Sequence, residues 1–424
     1  MNNRYKKILR ITIILIMCIV CCFFIGKKHN FLCNNYQKDF LFIYNEVETL
    51  YPFENNEYKN NIVTLKEEII EELHNCDNDD DFVNIVNHKF LDGLNSTHTE
   101  VLNRSNSYKI LKLYEGIYNN EYITDKNEKQ FLKSLIAQMS TERFNEKYID
   151  FIESGINQNA YYNVANESNL ESQDVIENRV KYLKINSLLG ANMVCDKPSI
   201  MNLLNEIKKY KVLIIDLRGN TGGNSAYFTD MFLPNIIDKN TSLEYYIALK
   251  NGITDEPNRR LIYNVYEDRI KEFTETSIKN EFKKYEFNSL VNDYKYFMPI
   301  CENIERNPNS IDFKGNIYVI IDQDTCSSAG YSAYFMQQTG LCKVVGQKSD
   351  DEILGMDPLT ILLPESQLVL RLEYAMPFVT ELPFGKKIVV NPDIEVDLNH
   401  NMKANDLKED PCICKILSME NILD

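Results

Sequence analysis

The chain has 424 residues, of which 44% are hydrophobic and 25% are charged, an ordinary balance for a globular protein. This length allows one large hydrophobic core or two modest ones. The formal net charge of -16 at pH 7 excludes nucleic acid as the expected partner, because the chain lacks the excess of basic residues that neutralises phosphates.

The N-terminus has the pattern of an export or anchoring signal. Basic residues are frequent in 1–10, and an almost wholly apolar run follows at 11–26. This pattern is typical of a secretory signal or a signal anchor. No small-x-small cleavage motif follows the run. We therefore expect 1–28 to be an uncleaved anchor, with a cleaved signal peptide as the alternative. Either way, the rest of the protein is expected outside the cytoplasm, single-pass in the cell membrane or secreted.

The next part of the chain is predicted to be helical. Apolar residues recur at three- to four-residue spacing in 40–53, 62–73 and 81–94. We predict an N-terminal helical domain at 30–105, which ends near the polar turn STHT at 96–99. A mostly helical insert is predicted at 106–177, and it lacks the strand-rich pattern of a small peptide-binding module.

The remainder of the chain alternates strands and helices, which predicts an α/β core at 178–400 followed by a tail at 401–424. The strand KVLIIDL, 211–217, has the continuous apolar character of a strand buried on both faces. It runs into the turn RGNTGG and a helix. IYVIIDQDTCSSAGYSAYF, 317–335, is a second strand–turn–helix unit. Both turns are expected at the same edge of the sheet. The intervening segment 240–310 is predicted to be helical in part.

Three features of this core and of the N-terminal region are candidates for a catalytic role. Gly222 and Gly223 let backbone N–H groups point outward, as an oxyanion hole requires, although a tight turn alone also needs them. Ser327 and Ser328 lie where a nucleophile has nearby donors, although serine is also a common helix N-cap. Of the five histidines, His98 alone lies in an uncharged polar turn, a place where histidine is usually a surface residue.

Taken in order, these segments resemble the tail-specific (C-terminal processing) and tricorn-core serine peptidases, in particular their exported bacterial branch. The motif DLRGNTGG at 216–223 is the most specific match, and GMDPLTILLPES at 355–366 is similar to a further segment of that branch. The resemblance covers 40–105 and 178–398. It implies a crotonase-like (ClpP-like) spiral α/β core and hydrolysis of peptide bonds in protein or peptide substrates, with no metal and no cofactor.

The resemblance also implies roles for individual residues. Ser327 falls at the nucleophile and His98 at the histidine that serves as its base. Gly222 and Gly223 fall on the glycines of the oxyanion hole, and the Ser328 backbone N–H is expected to be a second donor. A lysine base is disfavoured because Glu352 stands near its expected place.

Some positions depart from the family's pattern. Gly330 stands where the family has a glutamate, and Ser96 where it has an aspartate before the histidine. The family position of the acid that orients the histidine is occupied here by a lysine, at 386 or 387. The orienting acid is therefore unassigned. The candidate acids are Glu381, Asp357 and Glu373. Two functions stay open: an active serine endopeptidase, or a catalytically impaired relative that binds peptides or acts as a scaffold.

Other enzyme classes are disfavoured by missing motifs. An α/β-hydrolase esterase needs a Gly-x-Ser-x-Gly elbow, which is absent. A zinc peptidase of the common type needs His-Glu-x-x-His, which is also absent. The cysteines beyond the apolar run permit disulfides in an exported domain, but their spacing indicates neither a disulfide framework nor a metal site.

Overall fold

The computed structural model describes residues 33–53, 56–94, 96, 98–119, 126–154, 169–255, 257–282, 289–350, 353–398 and 406–422. The predicted signal segment, 1–28, lies outside these residues, as does His400. Within the described ranges, no helix has both the length and the apolar character to cross a membrane.

The elements of the described chain are numbered in chain order. The α-helices are α1 Asn35–Leu50, α2 Asn56–Leu73, α3 Asp79–Val86, α4 Arg104–Tyr118, α5 Lys126–Met139, α6 Glu142–Lys147, α7 Ile149–Glu153, α8 Gly190–Glu206, α9 Pro257–Tyr266, α10 Glu275–Glu281, α11 Ser327–Gln338 and α12 Pro411–Met419. The strands are β1 Glu100–Leu102, β2 Leu170–Ile176, β3 Val180–Ile185, β4 Val212–Asp216, β5 Thr241–Lys250, β6 Lys271–Glu272, β7 Tyr294–Ile304, β8 Asn316–Ile321, β9 Lys343–Gly346, β10 Leu359–Leu362, β11 Val369–Leu372, β12 Ala375–Phe378 and β13 Ile394–Glu395.

A six-stranded sheet in the order β13-β9-β8-β4-β3-β2 forms the centre of the fold. The strands from β13 to β3 are parallel, and the edge strand β2 is antiparallel to β3. All residues of β4 are buried, as predicted for a strand covered on both faces. Because β4 and β8 are parallel neighbours, the turns after them leave the same edge of the sheet.

The two faces of this sheet are covered by different elements. Leu213 and Ile215 point into the main core, which includes Phe335 of α11. Val212 and Ile214 point to the other face, where they share a buried cluster with residues of α12. The helix α12 lies within the part of the chain predicted as a C-terminal tail, and it packs against the sheet.

The N-terminal region consists of helices, as predicted. The apolar face of α1 is buried, and Asn34 begins this helix with a capping box that includes Gln37. After α3, the chain reaches β1, which pairs with β11 in the three-stranded sheet β1-β11-β10. This pairing joins the N-terminal region to the core and places the turn that contains His98 beside the end of β11. The α/β fold with an N-terminal helical region is therefore confirmed.

Two segments contain strands that were not predicted. The range 240–310 is helical in part, as predicted, since it contains α9 and α10, but it also contains the long antiparallel pair β5–β7 of the sheet β12-β5-β7-β6. Exposed Ser242 and Glu244 alternate with more buried neighbours, and tyrosine and isoleucine favour strands. The strand β2, assigned by sequence to the helical insert, is the edge of the central sheet.

Candidate active site

Ser327 is the first residue of α11, immediately after the turn that follows β8. Its φ is +51°, in the left-handed region that costs a non-glycine residue roughly 1–3 kcal/mol. The N-cap position belongs to Cys326, which makes no side-chain capping hydrogen bond. The alternative that one of the two serines serves as the N-cap is therefore not observed. The Ser328 Oγ is buried and, within the described chain, has no hydrogen-bond partner. The strained φ of Ser327 is typical of a functional residue rather than of a helix cap.

Gly222 brings the glycine turn into contact with both serines. A Cβ added to Gly222 would lie 2.9 Å from Ser327 Cβ, 2.9 Å from Ser328 N and 3.0 Å from Ser328 Oγ. Its φ of +92° is also unfavourable for any other residue. The two turns that the sequence placed at one edge of the sheet therefore touch each other, and the contact requires glycine.

Hydrogen bonds within this region determine which N–H groups remain available. The Gly222 N–H donates to Asn220 Oδ1 at 2.9 Å, so it is already engaged. Gly223 sits between two bonds that its neighbours make with Leu188, and its own N–H has no acceptor among the described residues. The Ser328 N–H is likewise without an acceptor in that part of the chain. Gly223 and Ser328 thus supply two available donors, while Gly222 supplies space.

Asn220 fixes the glycine turn from inside the protein. Its side chain is fully buried. Its Nδ2 donates to the Ile185 carbonyl at the end of β3 at 2.8 Å, and its Oδ1 accepts the Gly222 N–H. Its carbonyl accepts the Cys326 N–H at 3.3 Å, next to Ser327. Sequence reasoning did not single out this residue. The available signal was a polar residue that follows a buried strand within a glycine-rich turn.

His98 is half-buried and lies two residues before the start of β1. Its backbone N–H donates to Ser96 Oγ at 3.1 Å, and Ser96 Oγ donates to Thr99 Oγ1 at 3.0 Å. Ser96, which replaces the aspartate of the resembled family, thus shapes the histidine turn. Among the residues that the structure describes, no hydrogen bond joins His98 to Ser327, and their pairing stays a prediction.

The three candidate acids lie in different environments. The backbone N–H of Glu373 donates to Thr99 Oγ1 at 3.1 Å, so this half-buried residue is attached to the histidine turn. Glu381 is exposed after β12 and accepts a hydrogen bond from the Thr380 hydroxyl at 3.3 Å. Asp357 is exposed in the loop before β10.

Gly330 departs from the resembled family for a visible steric reason. A Cβ at this position would lie 2.6 Å from Ile353 Cγ2. A glutamate side chain therefore does not fit on this face of α11 unless Ile353 moves.

A charged network lies behind the glycine turn. The Asp216 carboxylate, 1% exposed, accepts hydrogen bonds from Tyr182 Oη at 2.8 Å and from Arg218 Nη2 at 2.6 Å. Burial alone would raise the pKa of Asp216. The Arg218 hydrogen bonds and the charges of Arg218 and Lys184 outweigh it and hold that pKa below its ordinary value. Neither here nor elsewhere among the described residues could a group of His, Cys, Asp and Glu side chains hold a metal ion.

Comparison with known proteins finds a family match and similar folds. The profile of peptidase family S41 matches residues 179–396. A Parabacteroides merdae protein assigned as a peptidase has a similar structure, with a TM-score of 0.50 and 11% identity over 92% of this chain and 98% of that one. The structure of mature CPAF in complex with lactacystin is also similar, with a TM-score of 0.51 and 13% identity over 92% of this chain and 98% of that one. At these identities the structural likeness shows the fold alone. No curated protein matches the chain significantly.

Proposed function

The chain belongs to peptidase family S41, and we propose that it cleaves protein or peptide substrates with Ser327 as nucleophile and His98 as base. That it is a serine-type peptidase of the tail-specific and tricorn-like family follows from the family itself. The assignment of the site depends on one observation above all, the contact of Gly222 with Ser327 and Ser328.

The geometry supports a defined division of labour. Ser327 Oγ attacks the scissile carbonyl carbon while His98 takes the hydroxyl proton. The carbonyl oxygen, which becomes negative, accepts hydrogen bonds from the Gly223 and Ser328 N–H groups. The positive end of the α11 dipole favours the same charge. His98 then returns the proton to the leaving amine, and water hydrolyses the acyl-enzyme by the same steps.

We assign Glu373 as the acid that orients His98. Thr99 links the two residues, since it follows His98 directly and its hydroxyl accepts the Glu373 N–H. Glu373→Gln is expected to lower kcat by about 10²- to 10⁴-fold, as loss of the aspartate does in a Ser-His-Asp triad. Glu381→Gln and Asp357→Asn are the matched controls, and wild-type activity in all three variants would reject this assignment.

The central experiment is hydrolysis of unfolded casein by the full chain, beside Ser327→Ala and His98→Ala. Each substitution is expected to reduce the rate by at least about 10³-fold. Ser225→Ala is the matched control, because this serine follows the other turn and its hydroxyl makes no hydrogen bond within the described residues. Equal activity in all four proteins would reject the Ser327–His98 pair.

A second function is favoured by the departures at Gly330 and at the lysines 386 and 387. A catalytically impaired relative would bind peptides without cleaving them. Such a protein would leave casein intact and bind casein peptides as tightly in the Ser327→Ala form as in the wild type.

We also propose that the folded part lies outside the cytoplasm and that 1–28 anchors it. The support is the basic flank and the apolar run at 11–26. Cys301 is exposed and provides a direct test. A membrane-impermeant maleimide added to intact cells is expected to label Cys301, and labelling only after lysis would reject the proposed location.

A further inference from the structure

The C-terminal helix α12 reaches the glycine turn through the residue that precedes it. Asp410 is the N-cap of α12, and its Oδ1 accepts the backbone N–H groups of Cys412 at 2.9 Å and Ile413 at 3.2 Å. Its second oxygen, Oδ2, lies 2.8 Å from Arg218 Nη1. One carboxylate thus joins the start of α12 to the first residue of the turn at 218–223.

Arg218 is held from two sides. Its Nε and Nη2 contact the Asp216 carboxylate at the end of β4, and its Nη1 contacts Asp410. The side chains are largely removed from water, with exposures of 20% for Arg218, 1% for Asp216 and 11% for Asp410. A planar guanidinium can bridge two carboxylates in this way, whereas a lysine ammonium cannot reproduce the fork. The Arg218 carbonyl also accepts Lys184 Nζ at 2.8 Å.

A series of hydrogen bonds connects Arg218 to the proposed oxyanion hole. Gly219 N–H donates to Asp322 Oδ1 at 3.0 Å, which ties the turn to the loop before Ser327. Asn220 then holds the Gly222 N–H and the Cys326 N–H, as described above. The turn at 218–223 is thus held by Asp410 at its first residue and by hydrogen bonds at Gly219, Asn220 and Gly222.

We propose that Asp410 is a positioning residue for the turn at 218–223, which carries the Gly223 donor of the proposed oxyanion hole. The helix α12 then helps to hold the active site in place, in addition to packing on the sheet. The structural half of this proposal concerns the rigidity of 218–223. The kinetic half rests on the proposed function.

Asp410→Asn is the most informative substitution. Asparagine is as good an N-cap as aspartate, so α12 keeps its first hydrogen bonds. The substitution removes the negative charge that faces Arg218. Asp406→Asn is the matched control, because Asp406 is exposed, caps the short helical turn Leu407–Glu409, and takes part in no ion pair within the described residues.

Hydrogen–deuterium exchange of the full chain tests the structural half directly. Asp410→Asn is expected to speed exchange of the Gly222 and Cys326 amides by about ten-fold, since their protection reflects local opening of the turn. Asp406→Asn is expected to leave it unchanged. Faster exchange in 411–419 alone, with the turn as protected as in wild type, would overturn the proposal. If Asp410→Asn does not fold, Arg218→Lys serves instead with the same expected and contrary results.

Steady-state kinetics separate positioning from general stability. Asp410→Asn is expected to lower kcat by about ten-fold, equivalent to about 1.4 kcal/mol of barrier, with KM within about two-fold of wild type. Asp410→Glu is expected to restore part of the loss. A raised KM with unchanged kcat would overturn the proposal. If the wild type hydrolyses nothing, the proposed function fails, and the exchange experiment alone still decides whether Asp410 holds the turn.

Discussion

Replacing Gly222 by alanine tests the contact that defines the site. The new methyl group would lie 2.9 Å from Ser327 Cβ and from Ser328 N. Carbon atoms pack at about 3.5–4.0 Å, so the glycine turn and the serines must separate by about 0.5–1 Å. Gly340→Ala, just after the end of α11, is a matched control. Its φ is +72° and a Cβ there meets nothing within 4 Å. It therefore imposes a similar backbone penalty, roughly 1–2 kcal/mol, without moving the serines.

The two alanine variants are expected to differ mainly in catalysis. A displacement near 1 Å in a catalytic group costs about 10²-fold, so Gly222→Ala should lower kcat/KM by about 10²-fold. Gly340→Ala should stay within about three-fold of wild type, because its strain lies beyond the C-terminal end of α11, whereas Ser327 lies at the N-terminal end. Gly222→Ala should also lose about 1–3 kcal/mol of stability from overpacking.

The assay is hydrolysis of a fluorogenic peptide cut from casein, at a temperature well below the Tm of both variants. Calorimetry measures each Tm and confirms that the folded fractions match. Equal catalytic losses in the two variants would refute the steric reasoning, as would wild-type activity in Gly222→Ala.

Three further predictions concern stability. Lys250 is 6% exposed, with its ammonium 4.8 Å from the Phe53 ring centroid, and burial lowers its pKa to about 8. Its charged form is therefore disfavoured in the folded state. The free energy of unfolding should therefore rise between about pH 8 and 10.4. Lys250→Met should abolish that rise and increase the free energy of unfolding at pH 7, measured with urea, by about 3 kcal/mol. Burial, with the charge of Asp230, raises the pKa of Glu302. Stability should fall as pH rises from about 4.3 through that raised pKa, and an equally steep fall in Glu302→Gln would contradict this. Ser328→Ala removes a buried hydroxyl without a partner in the described chain and should raise stability by about 1 kcal/mol in calorimetry, whereas a lower Tm would count against it.

The strand and turn at 211–223 could be predicted because local sequence determines them. A continuous apolar strand has few alternatives, and Gly222 and Gly223 mark where positive φ is needed. The same holds for the turn before Ser327. Their meeting followed from the parallel arrangement of β4 and β8.

Other parts depend on contacts between distant residues, which periodicity does not reveal. The link between Glu373 and the histidine turn spans 274 positions, and nothing local to either residue indicates it. The segment that forms α12 was predicted only as a tail. Its stability comes from packing on Val212 and Ile214 and from the charge of Arg218. The N-cap at Cys326 could not be predicted, because serine is the more common cap.

The most direct test of the central claim is covalent labelling with a fluorophosphonate, which reacts with an activated serine hydroxyl, followed by peptide mapping in a mass spectrometer. The account predicts one adduct on Ser327 in the wild type, none in Ser327→Ala, and a much slower reaction in His98→Ala. An adduct on another serine, or labelling of Ser327→Ala at the wild-type rate, would contradict it.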